Sequence, residues 1–236
     1  MAGSQLGSPS LASVQVAAGS GRLAVFDLDR TLLPGSSLVA LGRALAVRKL
    51  VPRRTLLAGY LRDASFRRRG ASDAEATGVR DDALRHVAGL EVALLESVLD
   101  EVGRALVARV RPGALLLVRR HLAAGDFVVV LSASPQPLIE TVAARIGAHR
   151  AVGTKPGTLD GVYTGDLDGP FCYGEGKLER LHHDVGPDAL HNAAGYADSA
   201  SDVPVLEACR EPVAVNPDRR LRDIAARRGW PVVRLG

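Results

Sequence analysis

A chain of 236 residues, 47% of them apolar, can bury one large core, or one domain with a smaller insert. The formal net charge of +4 is carried almost wholly by arginine, with only three lysines; this suits an anionic ligand but is too diffuse for nucleic acid, and 4% aromatic residues leave no stacking platform for single strands. No apolar run reaches the length of a bilayer span, and Cys172 and Cys209 stand in no disulfide, zinc or CxxC spacing.

Residues 1–20 are small and polar, without the basic start and apolar core of a signal peptide, and are expected to form a disordered leader on a cytoplasmic protein. The stretch LAVFDLDRTLL (23–33) follows. Its uninterrupted apolar run predicts a strand buried on both faces, ending at Asp27 and Asp29. Two carboxylates two residues apart would point the same way. Their simpler reading is a solvated turn in which Asp29 or Thr31 caps a helix. Pro34 and Gly35 then break the chain. Residues 36–110 carry apolar sets at helical intervals, punctuated by Pro52, Gly70 to Ser72 and Gly89, and predict four helices and no strand.

Alternation begins after Arg111-Pro112-Gly113. Residues 114–124 suit a helix, FVVVL (127–131) a second buried strand, and 136–147 another helix. A short strand is expected at 150–154 and a glycine-turned hairpin over 157–169. Helices at 175–184, 200–210 and 218–229 then alternate with strands at 193–198, 212–217 and 231–235. The fold class is therefore α/β, a doubly wound parallel sheet with an inserted helical unit. The core is expected over 21–34 and 111–236, the insert over 35–110. The basic clusters at 48–54, 66–70 and 219–229 read as solvated helix faces, and the histidines as surface or packing residues.

Four polar sites fall at strand ends or helix starts: Asp27 and Asp29, Ser132, Lys177, and the pair Asp198 and Asp202. Right-handed crossovers bring the carboxyl ends of parallel strands to one edge, so these residues can converge there. Several carboxylates with few local cations imply a hard divalent ion such as Mg²⁺, which takes one or two carboxylates, waters and substrate phosphate. Lys177, the Ser132 hydroxyl and the Ala133 amide would bind phosphate oxygens. One carboxylate can then act as a nucleophile and another as a proton shuttle.

FDLDRTL matches the DxDxT signature of the haloacid dehalogenase superfamily. VVVLSAS resembles its second motif, Lys177 its third and DSASD its fourth, all in order. The helical stretch between the first two motifs is similar to a type-1 cap, and the variants most resemble the phosphoserine-phosphatase-like branch, subfamily IB. The resemblance implies Asp27 as nucleophile and metal ligand, and Asp29 as acid/base with its backbone carbonyl on the metal. It implies Asp198 as a further metal ligand, with Thr31 and Asp202 in support. The expected function is a Mg²⁺-dependent phosphatase acting on a small phosphorylated metabolite through an aspartyl-phosphate, as a monomer or homodimer. A phosphotransferase, a lipid-phosphate phosphatase and a non-catalytic binding or regulatory protein on the same fold remain alternatives. Where phosphoserine phosphatases place a glutamate nine residues after the nucleophile, this chain has Ser36, followed by Ser37. Arg30 replaces a small residue and is expected to be exposed.

Overall fold

Leu23–Asp27 forms β1, a central strand of a six-stranded parallel sheet in a computed structural model that describes residues 21–51 and 73–236. The remaining strands of that sheet are β2 (Phe127–Pro135), β3 (Arg150–Thr154), β6 (Ala193–Ala197), β7 (Glu211–Val215) and β8 (Val232–Val233), in the order β3-β2-β1-β6-β7-β8. β4 (Pro156–Leu159) and β5 (Val162–Leu167) form the expected antiparallel hairpin.

The apolar run of β1 is buried throughout because both faces of the sheet are covered. Ala24 and Phe26 join one cluster with Val128 and Val130, while Leu23 and Val25 join the opposite one with Val129 and Leu131. Strand order departs in opposite directions from the β1–β6 boundary. That reversal opens a crevice at the carboxyl ends of β1 and β6, where doubly wound sheets bind ligands.

Helices α1 (Ser37–Val47), α2 (Asp73–Val87) and α3 (Val92–Val107) lie between β1 and α4 (Pro112–Ala123). The expected leader over 1–20 and the second helix of the insert, around Leu56 to Leu61, lie outside the described residues. α3 buries Leu95, Val98, Leu99, Val102 and Leu106, one helical face, in the same cluster as Leu138 and Ile139 of α5 (Gln136–Ile146). The close approach depends on Gly103: a Cβ there would lie 2.7 Å from the Thr141 Cβ. The hairpin grips the α2–α3 turn by main-chain bonds, Tyr163 N–H to Leu90 O at 3.0 Å and Gly89 N–H to Tyr163 O at 2.8 Å. On the core side, buried His121 of α4 donates through Nδ1 to Asp126 at 2.7 Å and meets the Tyr196 hydroxyl at 2.8 Å through Nε2, fixing α4 to the sheet.

α6 (Glu175–Val185) and α8 (Arg219–Arg228) match their predicted spans closely. The helix expected over 200–210 is instead a tight turn at Ala200–Asp202 followed by α7 (Val203–Ala208). Asp202 donates its N–H to Ser199 O at 3.0 Å, and Pro204 then starts a new helix without an amide hydrogen. The final strand shrinks to two residues. No helix among the described residues is long and apolar enough to cross a membrane.

Candidate active site

After β1 the chain makes a wide turn, closed by the Leu33 N–H on the Leu28 carbonyl at 2.9 Å. Leu28, Leu32 and Leu33 anchor it in the core, so the polar residues between them are held rather than solvated. Asp27 stands at the strand end, buried; its Oδ1 accepts from Lys177 Nζ at 2.7 Å. Its Oδ2 is buried with no hydrogen-bond partner among the described residues. Thr31 is buried beneath the turn, and its hydroxyl also lacks a partner among them.

Lys177, buried near the start of α6, bridges two carboxylates: its Nζ donates to Asp27 and, at 2.5 Å, to Asp202. From sequence, this ammonium is expected on the phosphate oxygens. Two of its three donors are instead occupied by the chain, leaving one for a ligand. Asp198 follows β6, and oxygens of Asp27, Asp198 and Asp202 lie within 4.8 Å of one another. Three carboxylates gathered this closely fit a small divalent cation.

The Asp29 side chain is not part of that cluster. It accepts from the Ser37 N–H at 2.7 Å and the Ser37 hydroxyl at 2.9 Å. It therefore caps the first amide of α1 at the positive end of the helix, so the capping reading and the proton-shuttle reading concern one carboxylate. The Ser37 hydroxyl lies 2.6 Å from that of Ser134, and since its own hydrogen goes to Asp29, Ser134 is the donor. β2 loses register with β3 between Leu131 and Pro135. That irregularity presents Ser132, Ala133 and Ser134 toward the end of β1. Ser132 is buried, and its Oγ accepts from the Ser134 N–H at 3.2 Å, which leaves its hydroxyl hydrogen for a ligand. The Ala133 carbonyl is tied by Thr154 Oγ1 at 2.7 Å.

One expectation is corrected. Arg30 is not a solvent-facing residue: its side chain is 25% exposed and its guanidinium lies 3.8 Å from Asp198 Oδ2. Ser36 Oγ accepts from the Val39 N–H at the start of α1, and Ser37 holds Asp29. Sequence reasoning singles out neither Ser134 nor the bond from Ser37 to Asp29. The available signal was two serines directly before an apolar helical run, a helix-start pattern.

Burial and the charge of Asp27 push the Asp29 carboxyl up to about 6, against the opposing Ser37 bonds. Burial also lifts Asp202 to about 6 despite Lys177, and raises Asp198 well above the usual carboxylate range, with Asp27 adding to it and Arg30 opposing. Burial depresses Lys177, but the charges of Asp202 and Asp27 outweigh it and hold the amine cationic. A carboxyl whose folded pKa is raised lends stability that is complete below its unfolded value and lost as pH rises through the folded one. The metal-free protein should therefore melt at a lower temperature at pH 7 than at pH 5, the loss from Asp29 and Asp202 falling between about 4 and 6. Asp126 does not mask this: bonds from His121 and the Arg22 amide outweigh its burial and hold it low, so its contribution is lost only at more acid pH. Calorimetry in EDTA checks this, and a melting temperature that rises from pH 5 to pH 7 contradicts it.

Residues 24–207 match the haloacid dehalogenase-like hydrolase family. The chain is 35% identical to phosphoserine phosphatase SerB1 of Mycobacterium tuberculosis over 213 residues, 89% of this chain and 69% of that protein. It is 31% identical to a histidinol-phosphatase of Neisseria meningitidis serogroup C over 221 residues, 89% and 97% of the two chains. Among solved structures, a Bordetella pertussis protein of unknown function superposes with a TM-score of 0.76 at 30% identity, covering 91% of this chain and 99% of that one. A parallel sheet whose carboxyl edge gathers Asp27, Asp29, Ser132, Lys177, Asp198 and Asp202, together with these matches, makes the chain a member of the haloacid dehalogenase-like hydrolase family.

Proposed function

We propose that the protein is a Mg²⁺-dependent phosphatase that hydrolyses a small phosphorylated metabolite through an aspartyl-phosphate on Asp27. The observation that carries this reading is the division of labour between two neighbouring carboxylates. Asp27 keeps one buried oxygen unpartnered beside a lysine, while Asp29 is held apart by Ser37 with its pKa raised to about 6. A nucleophile needs a bare oxygen, and an acid/base needs a pKa near the working pH. Relatives named as phosphatases support the reaction class.

In the first step the Asp27 Oδ2 attacks phosphorus, the ester P–O bond breaks, and the leaving alkoxide takes a proton from Asp29. In the second, Asp29 removes a proton from water, whose oxygen attacks phosphorus and displaces the Asp27 carboxylate, releasing inorganic phosphate. Ser132, the Ala133 amide and the third Lys177 hydrogen hold the phosphate oxygens. Asp27, Asp198 and the Asp29 carbonyl would hold the Mg²⁺, which when bound offsets the repulsion between an anionic nucleophile and an anionic phosphate. Thr31 and Asp202 support this set, Asp202 by fixing Lys177. We take residues 35–110 as a cap that closes over the substrate and excludes water. The two relatives are named for two different phosphate esters, so family membership leaves the substrate open.

The test is p-nitrophenyl phosphate with Mg²⁺, followed by a panel of phosphorylated metabolites, on wild type and Asp29→Asn. With so good a leaving group, the variant should still form the phosphoenzyme but release phosphate slowly, because water lacks its base. A burst of about one nitrophenolate per protein, with a phosphate adduct visible by intact-mass spectrometry, is the expected result. Equal loss of both half-reactions, with no adduct, would remove Asp29 from this role.

A further inference from the structure

Arg30 occupies a place the mechanism does not use. Its backbone lies in the left-handed region, φ 65° and ψ −13°, where a β-carbon is unfavourable and glycine is the natural occupant. A non-glycine residue kept in such a conformation beside an active site calls for a reason in its side chain. The guanidinium sits against the carboxylate cluster, 3.8 Å from Asp198 Oδ2, with Asp198 itself almost fully buried. Lys177 hydrogen-bonds to Asp27 and Asp202, whereas Asp198 is faced by Arg30. Among the described residues, two cations face the three clustered carboxylates, one of them on the residue directly after Asp29.

We propose that Arg30 is a built-in counter-cation of the metal site, neutralising Asp198 in the metal-free protein and competing with the divalent ion for that carboxylate, so that it sets the site's metal affinity. The inference rests on the metal-site reading given under Proposed function. Its physics is plain. An ion taken up by Asp198 must sit close to a permanent positive charge in a poorly solvated cleft, where repulsion is far stronger than in water. The same guanidinium relieves the mutual repulsion of the carboxylates when no ion is bound. Arg30 therefore stabilises the metal-free state and penalises the metal-bound one. An ammonium at this position would do the same, whereas a neutral side chain would not.

The test measures metal binding directly, without substrate, by calorimetric titration of the full-length protein with Mg²⁺ and by Mn²⁺ electron paramagnetic resonance at low ionic strength. Wild type, Arg30→Gln, Arg30→Lys, Arg30→Gly and Asp198→Asn are compared. Removing the positive charge in Arg30→Gln or Arg30→Gly should tighten the metal Kd by about tenfold, one unit charge acting at short range in a partly buried site. Arg30→Lys should stay near wild type, and the difference should shrink as salt is raised. In EDTA, Arg30→Gln should melt below wild type, yet gain more melting temperature on adding Mg²⁺. Arg30→Gly, which also relieves the left-handed backbone, separates charge from strain: its metal affinity should follow Arg30→Gln whatever its melting temperature does.

Wild-type binding with an unchanged or weaker Kd in both neutral variants overturns the role of Arg30 and leaves the metal site standing. Binding undiminished in Asp198→Asn also overturns it, because Asp198 would then not be the contested ligand. No binding of Mg²⁺ or Mn²⁺ by the wild-type protein overturns the metal-site reading itself, and this inference with it.

Discussion

Asp27→Asn should fold and should lose turnover by several orders of magnitude. Asparagine has nearly the shape of aspartate, so the strand end and its buried neighbours need not move. The amide nitrogen cannot attack phosphorus as a carboxylate oxygen can, while the amide oxygen can still accept from Lys177. Stability should not fall with activity. Asp27 raises the pKa of both Asp29 and Asp198 through its charge, so removing it relieves repulsion in the metal-free protein. The measurement is kcat with the best substrate of the panel beside a thermal melt in EDTA. A variant within tenfold of wild type would end the covalent mechanism. A variant that is inactive but unfolded decides nothing about chemistry, and the melt separates the two cases.

The second large effect is metal removal. Exhaustive chelation should lower activity by at least a hundredfold, and Mg²⁺ should restore it. The argument is electrostatic: the three carboxylates Asp27, Asp198 and Asp202 offer oxygens within 4.8 Å of one another and, among the described residues, are faced by only two cations, Lys177 and Arg30. An anionic phosphate approaching that cluster is repelled unless a further positive charge is present. Ca²⁺ should be a poor substitute, since its larger and looser oxygen shell does not hold the near-octahedral arrangement that Mg²⁺ demands. Full activity after chelation, with metal content verified by elemental analysis, would refute the site.

Much of this was written along the chain. A strand with no polar interruption must be buried on both faces, and β1 is. Strands alternating with helices must run parallel, which sends every carboxyl end to one edge, and the residues that end β1, β2 and β6 meet there. Glycine turns and alternating apolar residues gave the β4–β5 hairpin away. The roles expected of Asp27, Asp29 and Asp198 come from the resemblance to the family's motifs, not from any local pattern in the chain.

Other features had no local signal. Nothing near Lys177 says that it will bridge Asp27, 150 positions away, and Asp202, because that pairing depends on how α6 lies across the sheet. The turn after β1 folds Arg30 back toward Asp198, whereas a residue in a charged loop ordinarily faces solvent. Ser37 and Ser134 are 97 residues apart, and each alone is an unremarked small polar residue; they become a hydrogen-bonded line to Asp29 only when α1 starts beside the irregular end of β2. Periodicity and strand polarity are properties of neighbouring residues, so the sequence alone determined the layers of the fold and which edge would carry chemistry. Which cation faces which carboxylate depends on distances of a few ångströms between distant segments, and only tertiary packing decides those.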